Sequence, residues 1–161
     1  MRVHHRQCAD PLAPHELGGL FHGVQLWVNL PGKDKMTDPA YQNLEGSDSR
    51  LLSSDDGGAL LRVIAGDVAG HRGPGSTRTP IAFVHASVTP GAQLSMPWEP
   101  SFNSLVYVLS GHGRVGVEGT PIGTGQTAVL GAGDYLTLAA APRQESRSPR
   151  LDVIVLGGRP I

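Results

Sequence analysis

The side chains most able to do chemistry in this chain are four histidines crowded near one end, His4, His5, His15 and His22. Imidazole is a common ligand for zinc, iron and copper, but a catalytic metal needs several donors converging from fixed positions. Glu16 is the carboxylate beside them, and Pro11, Pro14, Gly18 and Gly19 break the segment without a period. Adventitious nickel or zinc binding fits this pattern better than a catalytic centre. Glu99 in the stretch MPWEPSFN would bind an amine or act as a base if its pKa were raised. The prolines on either side favour the plainer reading, a carboxylate turned to solvent with Trp98 packed at a rim. His85 falls in a strand pattern and reads as a satisfied core or surface histidine, while His71 and His112 fall in turns.

Two glycine motifs invite a nucleotide and do not earn one. GHGRVG, residues 111–116, has the letters of a dinucleotide fingerprint but lies between two strand patterns, not between a strand and a helix. GPGST, residues 73–77, lacks the Gly-Lys-Ser/Thr ending of a phosphate loop. Arg143, Arg147, Arg150 and Arg159 form the one basic concentration, and Glu145 and Asp152 among them fit a solvated loop. Cys8 has only Arg6 nearby to activate it.

The elements that must carry these residues are strands. Among 161 residues there are 22 glycines and 13 prolines, and the apolar residues come in short runs, so strands broken by turns are expected. Lys and Arg number 13 against 14 Asp and Glu, a formal charge of -1, which gives no field to attract nucleic acid or an anionic membrane. A single cysteine excludes an internal disulfide framework. The polar opening MRVHHRQCAD and the lack of a long apolar run suggest a cytoplasmic protein with no membrane span.

From Phe21 to Leu30 apolar Val24, Leu26, Val28 and Leu30 alternate with Gln25, Trp27 and Asn29, which predicts a strand ended by Pro31 and Gly32. SDSRLLSSDDGGA, residues 47–59, predicts a surface loop or short hairpin. Further strands are predicted over 60–64, 81–88, 102–109, 114–117, 127–130, 135–138 and 151–156. The strand at 102–109 should lie centrally, and the strand at 151–156 should close the sheet. Residues 139–149 make a loop.

The stretch from Thr89 to Leu138 resembles the core of a cupin barrel. The two cupin signatures, G-x5-H-x-H-x(3,4)-E-x6-G and G-x5-P-x-G-x2-H, overlay it in register. Gly91 and Gly111 bound the first, and Gly125, Gly131 and Gly133 carry the second. Pro97, Glu99, Ser104 and Leu136 then stand where the metal ligands would be. Proline and leucine have no side-chain donor, so the resemblance implies an all-β, jelly-roll barrel that holds no metal.

A sharper resemblance lies in FHGVQLWVNLPGKDKMTDPAYQNLE, residues 21–45, followed by RVIAGDVAGHRGPGSTRTPI from Arg62. These are similar to the linker region of the pirin family, two cupin-like barrels in tandem of which the first holds a metal, usually iron. The resemblance implies an arm and linker over residues 1–59, a remnant of the first barrel, and a metal-free C-terminal cupin-like domain over residues 60–161. It also implies that the chain is trimmed at both ends. If His4 matches the family's histidine in its H-x-E pair, Arg6 replaces the carboxylate, and a permanent cation is hostile to a metal.

The resemblance suggests two activities: a metal-dependent quercetin 2,3-dioxygenase, or a co-regulator that binds transcription factors. The expectation is a binding or regulatory protein with no catalytic residue, no cofactor and an unidentified protein partner; a chain with a misplaced start and no selected role is the third reading. The apolar face around Phe21, Leu26 and Trp27 predicts self-association through residues 21–30.

Overall fold

A computed structural model describes residues 23–49, 51–145 and 149–161. Two compact units divide the chain, Met1–Asn43 and Leu44–Ile161, and the second holds the strands. The barrel unit thus begins before the expected division at 59/60.

Among the described residues its strands are β1 (Leu51–Ser53), β2 (Ala59–Ala65), β3 (Asp67–Val68), β4 (His71–Arg72), β5 (Ile81–Val88), β6 (Gln93–Pro97), β7 (Asn103–Ser110), β8 (His112–Val115), β9 (Thr120–Gly123), β10 (Thr127–Leu130), β11 (Tyr135–Ala140) and β12 (Leu151–Gly158). One sheet has the order β1-β2-β5-β12-β7-β10 and the other β6-β11-β8-β9, with β3 and β4 forming a small separate hairpin. Every named pairing is antiparallel. This is the all-β jelly roll that the sequence predicts.

Alternation explains why these segments are strands. Along β5 the buried residues are Ala82, Val84, Ala86 and Val88, every second position, and β-branched valine suits a pleated surface packed on one side. Val155 of β12 lies opposite Val84 on one flank and Val106 of β7 on the other. All three are fully buried, and burying one such side chain contributes on the order of 1.5–3 kcal/mol. Leu138 of β11 and Leu151 of β12 are fully buried as well.

Two expectations are corrected. The strand at the end of the chain does not close the sheet, because β12 runs between β5 and β7. Its inner face carries no charge and its outer face buries Ile154, which suits an interior strand. Nor does the alternation from Phe21 to Leu30 make a strand within Gly23–Leu30, where no ladder is formed. Alternation supplies a face, but a strand exists only beside a partner. Instead the Asn29 carboxamide oxygen accepts from the Leu30 N–H at 3.0 Å and from Lys35 Nζ at 2.6 Å, next to a 3-10 turn at Gly32–Asp34. Trp27 is 70% exposed and Leu30 is buried.

β1 and β2 form the hairpin allowed for residues 47–59, with Ser54 and Asp56 holding its turn: Ser54 Oγ donates to Asp56 Oδ1 at 2.6 Å and Gly58 N–H to the same oxygen at 2.9 Å. β6 and β9, and the β3–β4 hairpin, are strands that the alternation did not reveal.

Candidate functional site

The interior of the barrel is closed on one side by β6, and the phase of that strand decides what faces inward. Leu94, Met96 and Trp98 are buried, whereas Gln93, Ser95, Pro97 and Glu99 are exposed. Met96 lies directly opposite Leu136 of β11, and the Trp98 N–H donates to the Asp134 carbonyl at 2.8 Å, so the pairing continues one residue past the strand. The four positions aligned with the cupin ligands therefore do not share one cavity. Ser104 and Leu136 point inward, and Pro97 and Glu99 point to solvent, with Met96 and Trp98 in the inward places.

Trp98 fills that interior. Its Nε1–H donates to Ser104 Oγ at 2.7 Å, and Ser104 is the one polar side chain buried among the described residues. Gly157 of β12 lies under the indole: a methyl group there would stand 2.8 Å from Trp98 Cζ2, 2.8 Å from Phe102 Cδ2 and 3.1 Å from Ser104 Oγ. The inward set is thus a thioether, an indole N–H, a hydroxyl already taken and an alkyl group. A first-row metal needs imidazole, carboxylate or thiolate, and these residues do not fit one. Among the described residues no three His, Cys, Asp or Glu side chains are grouped to hold a metal.

Glu99 behaves as a surface carboxylate. It accepts from Ser101 Oγ at 2.7 Å and from the Ser101 N–H at 3.1 Å, and these bonds, the hydroxyl first, hold its pKa below the ordinary value. A general base would need a shift the other way. His85 faces Asp152 across β5 and β12, Nε2 to Oδ1 at 3.7 Å, on the outer side of the large sheet. The His85 imidazole first, then the Ser87 and Ser110 hydroxyls, keep the Asp152 carboxyl below its usual pKa against the opposing effect of burial. Ser110 Oγ lies 3.3 Å from Asp152 Oδ2. Because Ser110 bonds the carboxylate and not the imidazole, the trio lacks the order of a nucleophile, base and orienter.

The glycine motifs are structural. Gly111 turns the chain from β7 into β8 at φ 86°, and a side chain there would clash with the Arg150 carbonyl. In GPGST the Gly75 N–H donates to the Ile64 carbonyl and the Gly73 N–H to that of Gly66, both at 2.8 Å, so these donors serve the barrel and not a phosphate. His71 and His112 do not fall in turns as expected but open β4 and β8, and like Arg143, Arg150 and Arg159 they are exposed. His4, His5, Arg6, Cys8, His15, Glu16, Phe21, His22 and Arg147 lie outside the described residues.

The concavity that sequence reasoning missed is an open groove of about 940 Å³ between β9 and β10. Trp98, Ile122, Leu130 and Leu136 make its apolar floor, and Glu118 and Asp134 are the charged residues that line it. Val117, Val129 and Tyr135, also in its lining, are 93%, 83% and 61% exposed. No spacing rule announces such a groove, because β9 and β10 belong to different sheets.

Residues 83–161 match the family model for the pirin C-terminal cupin domain. A pirin-like protein of Arabidopsis thaliana is 34% identical over 148 residues, covering 89% of this chain and 46% of the relative. Pirin of Homo sapiens is 34% identical over 143 residues, covering 87% of this chain and 47% of its own length. The chain therefore spans about half the length of the curated relatives it matches. The solved structure of a protein called quercetin 2,3-dioxygenase from Acinetobacter baumannii superposes with a TM-score of 0.74 at 31% identity, over 84% of this chain and 45% of that one. Residues 83–161 thus match a pirin C-terminal cupin domain, and most of the chain is similar to about half of a pirin.

Proposed function

We propose that this pirin-like barrel is a non-catalytic binding module of a regulatory protein. The observation that carries the reading is the inward set Met96, Trp98, Ser104 and Leu136, which packs as a core and offers a metal no imidazole, carboxylate or thiolate. A jelly roll with a filled interior still presents its rim and edges, and a protein partner needs no more than those. A cytoplasmic setting and self-association through residues 21–30 belong to the same proposal, the latter supported by the exposure of Val24 and Trp27. Among the described residues no helix is long and apolar enough to cross a membrane.

The alternative is a quercetin 2,3-dioxygenase-like oxidoreductase, favoured by the name of the Acinetobacter baumannii neighbour. Anaerobic loading with ferrous iron, followed by oxygen-dependent loss of quercetin absorbance, separates the two. No turnover is expected; turnover with stoichiometric iron overturns the binding reading.

A further inference from the structure

We propose that the open edge of β10 is a docking site for an extended, basic and apolar peptide segment of a partner protein, which adds to the large sheet as a seventh strand. The proposal rests on the binding reading above and names the place and the chemistry of the partner.

Among the described residues four strands end the two sheets, and three are blunted. β1 has only three residues, β6 ends in Pro97, and β9 carries Pro121, which has no N–H to offer. β10 reads Thr-Ala-Val-Leu, with no charge, proline or glycine. Among the described residues it pairs with β7 on one side alone. The Val108 N–H donates to the Gln126 carbonyl at 3.0 Å, and Ala128 and Leu130 lie opposite Val106 and Ser104. By the antiparallel alternation, Ala128 and Leu130 continue those bonds, while Thr127 and Val129 turn their N–H and C=O groups to the open edge.

That edge borders the groove. A strand added beside β10 would place alternate side chains over the floor made by Trp98, Ile122 and Leu136, and the others beside Val129, which is 83% exposed. The occupant follows from charge. Glu118 and Asp134 are the charged residues that line the groove, and Arg114, which is not in the lining, donates from its guanidinium to the Gly119 carbonyl at 3.1 Å. A second copy pairing edge to edge would bring the same acids together, which is repulsive, whereas a lysine- or arginine-bearing segment is drawn in.

The test is an amide NMR titration of the full chain with the end-capped peptide KVTVKVK and its acidic counterpart EVTVEVE. The basic peptide should give saturable shifts over Thr127–Leu130 and slow hydrogen exchange at Val129, and the acidic one should bind at least roughly tenfold more weakly. Val129→Pro removes an edge donor without breaking the β7 ladder, and should weaken the basic peptide by about tenfold or more while other resonances stay in place. Glu118→Gln with Asp134→Asn should erase the preference for the basic peptide. Equal binding of the two peptides, full binding by Val129→Pro, or no shift over β10 up to about 1 mM peptide, the weak end of peptide docking, overturns the proposal. So do β10 shifts that track protein concentration without peptide, since the occupant is then a second copy. Any of these leaves the iron and quercetin result, and with it the non-catalytic reading, untouched.

Discussion

The indole of Trp98 donates from Nε1 to Ser104 Oγ at 2.7 Å inside the barrel, joining the end of β6 to β7 where the family motif would place metal ligands. A buried N–H without a partner costs about 1–3 kcal/mol, so the pair satisfies two groups that the apolar surroundings would penalise. Trp98→Phe keeps most of the ring and leaves the Ser104 hydroxyl only its longer bond to the Phe102 carbonyl, 3.4 Å. A loss of about 1 kcal/mol is expected, against about 3–5 kcal/mol for Trp98→Ala. Urea unfolding of both, with Ser104→Ala to complete a double-mutant cycle, measures the coupling. Additive losses would show that the hydrogen bond contributes nothing.

Gly157 makes the space that Trp98 occupies. Gly157→Ala puts a methyl group 2.8 Å from both the Trp98 and Phe102 rings, and overpacking of this kind costs about 1–3 kcal/mol. Thermal unfolding of Gly157→Ala should show the loss, and pairing it with Trp98→Phe, whose smaller ring frees volume, should recover part of it. No recovery would place the clash with Phe102 alone.

Asp152 makes stability depend on acid. Its folded pKa lies below the unfolded value of 3.8, chiefly because of the His85 imidazole. The stabilisation is therefore fully present above that value and is lost as pH falls through the folded pKa. Asp152→Asn should cost about 0.5–1 kcal/mol at neutral pH, the range of a partly exposed polar pair, and the difference from the parent should vanish below the folded pKa. Denaturant midpoints followed from neutral pH into acid test this. A constant difference down to the lowest pH would assign the effect to packing.

Much of the fold is legible in the sequence because it is local. Strands β5 and β10 coincide with the predicted ranges, since a short run of apolar and β-branched residues between turns is a property of neighbours in the chain. The site is not local. Whether Pro97 or Trp98 faces inward depends on the partner of β6, and Leu136 opposite Met96 fixes it. A motif overlay carries spacing but no phase, and a slip of one residue turns every side chain to the other face. Gly157 likewise looks like a weak point in a strand until the indole from the far side of the barrel is placed over it. The central position of β12 between β5 and β7 is a matter of topology, which no window of sequence contains.

The barrel's chemistry is settled by its metal content. Protein loaded anaerobically with ferrous iron, desalted and crystallised is read at the iron absorption edge. The filled interior around Trp98 predicts no anomalous peak within it; a strong peak there, held by three or more imidazole or carboxylate groups of the chain, contradicts it.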